Sequence, residues 1–155
     1  MNLLVTFDDI NKLVKFNGKG RYSPPEFVWN NTVGVTDITF FNSDKLGKKY
    51  KNDIFAADFH NGNIYHFDLS KNRTNLLLTE HLNDKIANSY DELENVIFAQ
   101  GFGGITDLEV GPDGYLYVLA TNFGGGNCLP EFPNDPCISY SGTDMGSVFR
   151  LILAK

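Results

Sequence analysis

Two segments, Val35 to Phe40 (VTDITF) and Ile105 to Val110 (ITDLEV), share a Thr-Asp step and the same apolar positions seventy residues apart. Such a period constrains the fold strongly, because each copy must be one supersecondary unit that buries its apolar faces against its neighbours. Each copy is followed by a β-rich segment, DIFAADF (Asp53 to Phe59) or YLYVLAT (Tyr115 to Thr121). A segment starting at glycine comes next, GNIYHFDL (Gly62 to Leu69) or GSVFRLIL (Gly146 to Leu153). After the first copy, TNLLLT (Thr74 to Thr79) reads as a fourth strand. Four antiparallel strands joined by turns make a propeller blade. The expected fold is therefore all-β, a β-propeller fragment of about two four-stranded antiparallel blades in one partial domain over residues 1–155. The blade-like repeats fall at 33–79 and 103–153, after a lead-in at 1–32, and a loop insertion at 122–145 lengthens the second.

Turn chemistry supports this division. His60-Asn61-Gly62-Asn63 puts an Asn-Gly pair between two strand-like runs, and both residues tolerate the positive φ of a type I′ turn. That turn predicts Phe59 opposite Ile64 and Ala57 opposite His66. It also predicts two largely apolar faces, Phe55, Ala57, Phe59, Ile64 and His66 on one and Ala56, Asp58, Tyr65 and Phe67 on the other. Gly111-Pro112-Asp113-Gly114 serves as the turn between the first two strands of the later copy. Between the repeats, Ser89 ahead of Glu92 is a capping box, predicting a short helical turn around Tyr90 to Asn95.

Composition narrows the function classes. Thirteen basic residues against nineteen acidic ones give a net charge of −6, and the basic residues are scattered, which argues against nucleic acid as a partner. The longest apolar runs are far below the ~20 residues of a membrane span. Asp8 and Asp9 stand where a secretory signal would be apolar, so no signal peptide is visible. Cys128 and Cys137, nine positions apart in a Pro/Gly/Asn-rich loop, are spaced to close a small ring. A bridge there would contribute about 2–3 kcal/mol and indicate an oxidising compartment; two free thiols are the alternative.

The ordered set PPEFVW (Pro24 to Trp29), GVTDITFFNSDKLGKKYKNDIFAADFHNGNIYHFDL (Gly34 to Leu69), GFGGITDLEVGPDGYLYVLA (Gly101 to Ala120) and GSVFRLIL resembles the C-terminal part of the glucose/sorbosone dehydrogenase family. The resemblance covers about residues 22 to 153. It implies a six-bladed propeller, usually exported, whose parent oxidises sugars with pyrroloquinoline quinone (PQQ), often with calcium. By position it implies cofactor contacts at His60, Thr106 and Asp107. The family's quinone-gripping lysine falls at His60, and its R-x-R-D step falls at Gly104-Ile105-Thr106-Asp107, where only the aspartate is kept. The family's catalytic histidine and most calcium ligands belong to earlier blades, so no catalytic residue is assigned and the chain alone is expected to be inactive. An extracytoplasmic or secreted location is expected on the same ground.

Each candidate also has a plainer reading. His60 lines a ligand pocket or is a solvated turn residue. Asp37 and Asp107, at equivalent repeat positions, bind a cation or a sugar hydroxyl, or they hold nearby backbone. Gly101-Phe102-Gly103-Gly104 reads as a tight turn before a strand rather than a phosphate cradle, since no Lys-Ser/Thr follows. His60 and His66 fall on opposite faces of the predicted hairpin and make no metal pair. Three functions compete: a sugar dehydrogenase fragment, a non-catalytic binding or structural module that lost its cofactor site, and a calcium-dependent lactonase or esterase propeller. Two blades cannot close a ring, so the remaining blades or self-association are expected, and three copies would supply six blades.

Overall fold

A computed structural model describes residues 19–20, 23–121 and 146–153. The cysteine pair, Cys128 with Cys137, and the loop insertion at 122–145 lie outside the described residues, as does most of the lead-in.

The repeat is realised as two antiparallel sheets. The first contains β2 (Val35–Phe41), β3 (Asp53–Asp58), β4 (Ile64–Phe67) and β6 (Ile97–Ala99), in that order. The second contains β7 (Gly104–Val110), β8 (Leu116–Thr121) and β9 (Gly146–Arg150). A two-stranded parallel pair, β1 (Val28–Trp29) with β5 (Ile86–Ala87), lies outside both. The seventy-residue period extends to a defect. The β2–β3 ladder shifts register between Val35 and Asp37, and the β7–β8 ladder shifts between Ile105 and Asp107. Both bulges fall on the threonine of the Thr-Asp step. Such a bulge bends the strand and re-aims the side chains beside it.

The first sheet is covered on both faces, which explains why DIFAAD carries apolar residues at successive positions. Phe41, Phe55, Ala57 and Ile64 pack with Ile105, Leu108, Leu116 and Val118 of the second sheet in one buried cluster. On the opposite face Ala56, Tyr65 and Phe67 pack with Leu82, Ala87 and Val96, flanked by Phe27, Trp29, Leu76 and Leu78. Each fully buried phenylalanine or isoleucine contributes about 1.5–3 kcal/mol relative to an exposed one.

Two sequence expectations are corrected. The β3–β4 hairpin pairs Ala57 with Ile64 and Phe55 with His66, two residues away from the register an Asn61-Gly62 two-residue turn predicts. The Asp58 N–H bonds the Asn63 carbonyl at 3.0 Å, so the loop is Phe59 to Gly62. A shift of two preserves side-chain parity, and both predicted faces survive. Thr74 to Thr79 is not the fourth strand. That segment makes one isolated bridge, Leu69 to Leu76, and the fourth strand is Ile97–Ala99, which pairs with β4. Leu76 and Leu78 serve instead as a lid on the outer cluster.

The connection to β6 contains the predicted helical turn, α1 (Tyr90–Leu93). The Ser89 hydroxyl accepts the Glu92 N–H at 3.2 Å, and the Glu92 carboxylate accepts the Asn88 N–H at 2.7 Å. The Gly111 to Gly114 turn forms as expected, with Gly114 at φ 80° and its N–H on the Gly111 carbonyl. No helix among the described residues is long and apolar enough to cross a membrane.

Candidate functional site

Of the predicted site residues, His60 lies beside Gly34 just ahead of β2, and Thr106 and Asp107 lie near the start of β7. His60 sits on the β3–β4 loop, and the shape of that loop is set by Asp58. The Asp58 side chain is fully buried, and its carboxylate accepts the N–H groups of Gly34 and His60, the Asn61 amide and the Tyr65 hydroxyl, at 2.6–3.0 Å. Four donors around one carboxylate offset the cost of burying it. Burial, foremost, and the neighbouring Asp58 charge push the Tyr65 phenol above its ordinary range, so Tyr65 stays protonated and donates.

The same loop is tied to the second sheet. Gly62 adopts φ 62°, and its carbonyl accepts the N–H groups of Gly101 and Phe102 at 3.1 and 3.3 Å. The Gly101–Gly104 stretch is therefore the tight turn that the sequence indicated, seated on the neighbouring hairpin. Two and three residues beyond Gly104, Thr106 and Asp107 are exposed. The Thr106 hydroxyl donates to the Leu119 carbonyl at 3.2 Å. No hydrogen bond joins His60 to Thr106 or Asp107 among the described residues.

The repeat partner of Asp107 reveals what such an aspartate does. Asp37 accepts the Leu108 N–H at 3.1 Å, and the adjacent Thr36 hydroxyl donates to the Ile105 carbonyl at 2.8 Å. Asp37 thus holds backbone, as its plainer reading held, but the backbone belongs to the neighbouring sheet rather than to its own strand.

The side chains here do not match the family's quinone. Residues 34–37, 58–63 and 101–107 contain no lysine or arginine, Gly104 has no side chain, and Asp107 adds a negative charge. A tricarboxylate needs charge-assisted donors, which these positions do not supply. Calcium chemistry fares no better. The described group best placed to hold a cation is Asp53, His66 and Asp68, whose ligand atoms lie within 4.8 Å of one another, and an imidazole suits zinc-like ions rather than calcium. That group sits at the other end of β3. His66 Nε2 lies 3.1 Å from Asp53 and 3.7 Å from Asp68, and Asp53 also accepts the Leu69 N–H. A hydrogen-bonded His–Asp pair accounts for this geometry without an ion. No sequence signal marked the trio, because Asp53 and His66 are brought together only by the true β3–β4 register.

A hollow of about 260 Å³ opens beside the His60 loop, lined by Trp29, Asn31, Asn61, Asn63, Ser89 and Tyr90 among others, with no charged side chain. The buried Trp29 indole N–H has no hydrogen-bond partner among the described residues. Amides, hydroxyls and aromatic faces together suit a neutral polyol better than an ion.

No curated protein and no solved structure matches the chain. The family described as Glucose / Sorbosone dehydrogenase matches residues 7–128, well over half the sequence and all the strands from β1 to β8. With its paired antiparallel sheets and its Thr-Asp repeat, the chain belongs to the glucose/sorbosone dehydrogenase family.

Proposed function

We propose that this chain is the C-terminal portion of a sugar dehydrogenase-like quinoprotein propeller whose parent oxidises a sugar with PQQ and calcium outside the cytoplasm, and that the chain alone is inactive. Family membership supports the sugar chemistry. The observation that carries the second half is the absence of any lysine or arginine at 34–37, 58–63 and 101–107. In this reading His60, Thr106 and Asp107 border the cofactor end of the propeller, while the counter-charges come from other parts of the parent. The uncharged hollow beside Asn61 and Asn63 is the place for a carbohydrate.

The same absence of cations favours a second reading, a non-catalytic propeller module that kept its scaffold and lost its cofactor grip. Adding PQQ and calcium to the chain, and following quinone absorbance with sugar-dependent dye reduction, tests the first reading. Neither binding nor dye reduction is expected from the chain alone, and sugar-dependent turnover would overturn its inactivity. The same assay on a longer native protein separates the readings: turnover supports the dehydrogenase, and its absence supports the module.

A further inference from the structure

At the end of the first sheet away from His60, the hydrogen bond between His66 and Asp53 accounts for two members of the trio but not for Asp68. One ring nitrogen has one proton to give, and Asp53 Oδ2 lies 3.1 Å from it. Asp68 Oδ1 stands 3.7 Å from the same nitrogen, too far for a hydrogen bond, and within 4.8 Å of the Asp53 carboxylate. Two negative charges placed so closely repel, and a cation between them turns that repulsion into attraction.

The spacing suits a small ion. Bonds of about 2.0–2.2 Å to a tetrahedral zinc put neighbouring ligand atoms about 3.3–3.6 Å apart, and the 3.1 and 3.7 Å separations straddle that range. The side chains are also braced as metal ligands usually are. Asp53 is 7% exposed, and its second oxygen accepts the Leu69 N–H at 3.1 Å. The His66 ring meets Tyr50 edge-on and leans on Phe55, with centroids 4.9 and 5.1 Å away. The Asp68 side chain is exposed and free to rotate inward. A hollow of about 270 Å³, lined by Tyr50, His66, Asp68, Asn95 and Phe98 among others, opens onto the trio. It gives an ion a way in and leaves room for a water at a fourth position. Lys49, also on its wall, is turned onto the Tyr50 ring, with Nζ 4.4 Å from the centroid.

We propose that Asp53 Oδ2, His66 Nε2 and Asp68 Oδ1 bind one zinc-like divalent ion whose remaining position faces this hollow. Ligation leaves Nε2 bare and the ring proton on Nδ1, and Asp53 Oδ2 changes from hydrogen-bond acceptor to ligand. Calcium is the wrong class, because it takes six to eight oxygen ligands and this set centres on an imidazole. Every part belongs to the first sheet and its own connections, so the site needs neither a neighbouring sheet nor a quinone, and the proposal goes beyond the functional reading.

Titration of the metal-free full chain with zinc chloride, followed by calorimetry, tests it. One zinc equivalent per chain is expected to be lost in Asp68→Asn and in His66→Gln, and to persist when Cys128→Ser and Cys137→Ser remove both thiols. Zinc should raise the melting temperature of the wild-type chain and leave that of Asp68→Asn unchanged. Calcium at the same concentration should do neither. Asp68 is exposed, so its variant keeps the fold and carries the test even where His66→Gln does not fold. A wild-type chain that takes up no zinc overturns the proposal. So does uptake that Asp68→Asn leaves intact, uptake that disappears with the thiols, or an equal response to calcium.

Discussion

Asp58 and Asp68 lie ten residues apart and show how differently two carboxylates can be housed. Asp58 is enclosed by four donors, two of them backbone N–H groups, and organises the loop that bears His60. Asp68 is largely exposed beside His66 and Asp53. Desolvation raises its pKa from the ordinary 3.8, His66 pulls it back, and the Asp53 charge adds to the rise. A carboxyl whose proton is held more tightly in the folded chain favours folding below its unfolded value, and that contribution is lost as pH rises through the folded value. Asp68→Asn should therefore raise the melting temperature slightly at pH 7, and the gain should vanish on acidification to about pH 3, below the ordinary carboxylate value. Thermal melts at both pH values check it; an equal gain at each would mean that charge is not the cause. None of this could be read beforehand, since Asp68 meets Asp53 only after β3 and β4 have paired.

The β3–β4 hairpin shows how local signals inform an element and where they stop. Asn61-Gly62 correctly placed the turn, and apolar alternation correctly sorted the two faces. The register escaped because Asp58 recruits the loop into a longer closure, and a carboxylate's choice of donors depends on Gly34 and Tyr65, which are distant in sequence or lie on the next strand. The fourth strand escaped for a related reason. Thr74 to Thr79 follows β4 more closely in sequence, but its leucines find the outer cluster, and the short Ile97–Ala99 is drawn to the free edge of β4. Gly62 belongs at this scale too. Its positive φ suits glycine, and a Cβ there would run into the Gly103 carbonyl oxygen of the neighbouring sheet. Gly62→Ala should cost about 2–4 kcal/mol in urea unfolding, well above the ordinary loss at a surface turn. A cost below about 1 kcal/mol would show that the contact with Gly103 relaxes freely.

At the scale of the molecule, the repeat was legible because the Thr-Asp step and its apolar flanks recur in order, and the same bulge appears in both sheets. Its purpose was not legible, since the grip, the hydrogen bond that the Leu108 N–H donates to Asp37, spans seventy-one positions and joins two sheets rather than two neighbours in sequence. Asp37→Ala leaves the Leu108 N–H without that acceptor, and the loss should be about 1–3 kcal/mol. Hydrogen exchange should show the protection of β7 and β8 falling more than that of β3 and β4; equal falls would mean that the sheets unfold together whether or not the grip is made.

Because the grip starts on one sheet and closes on the next, the unit that repeats is a link rather than a sheet. A chain built of such links can gain or lose whole periods without breaking any, as a bracelet can be resized, whereas a cut inside a period leaves a hook without its eye. Duplication or deletion in multiples of the full period therefore keeps every joint whole, but a closed ring needs its joints to sum to a full turn, so the geometry of each joint sets how many blades the ring takes.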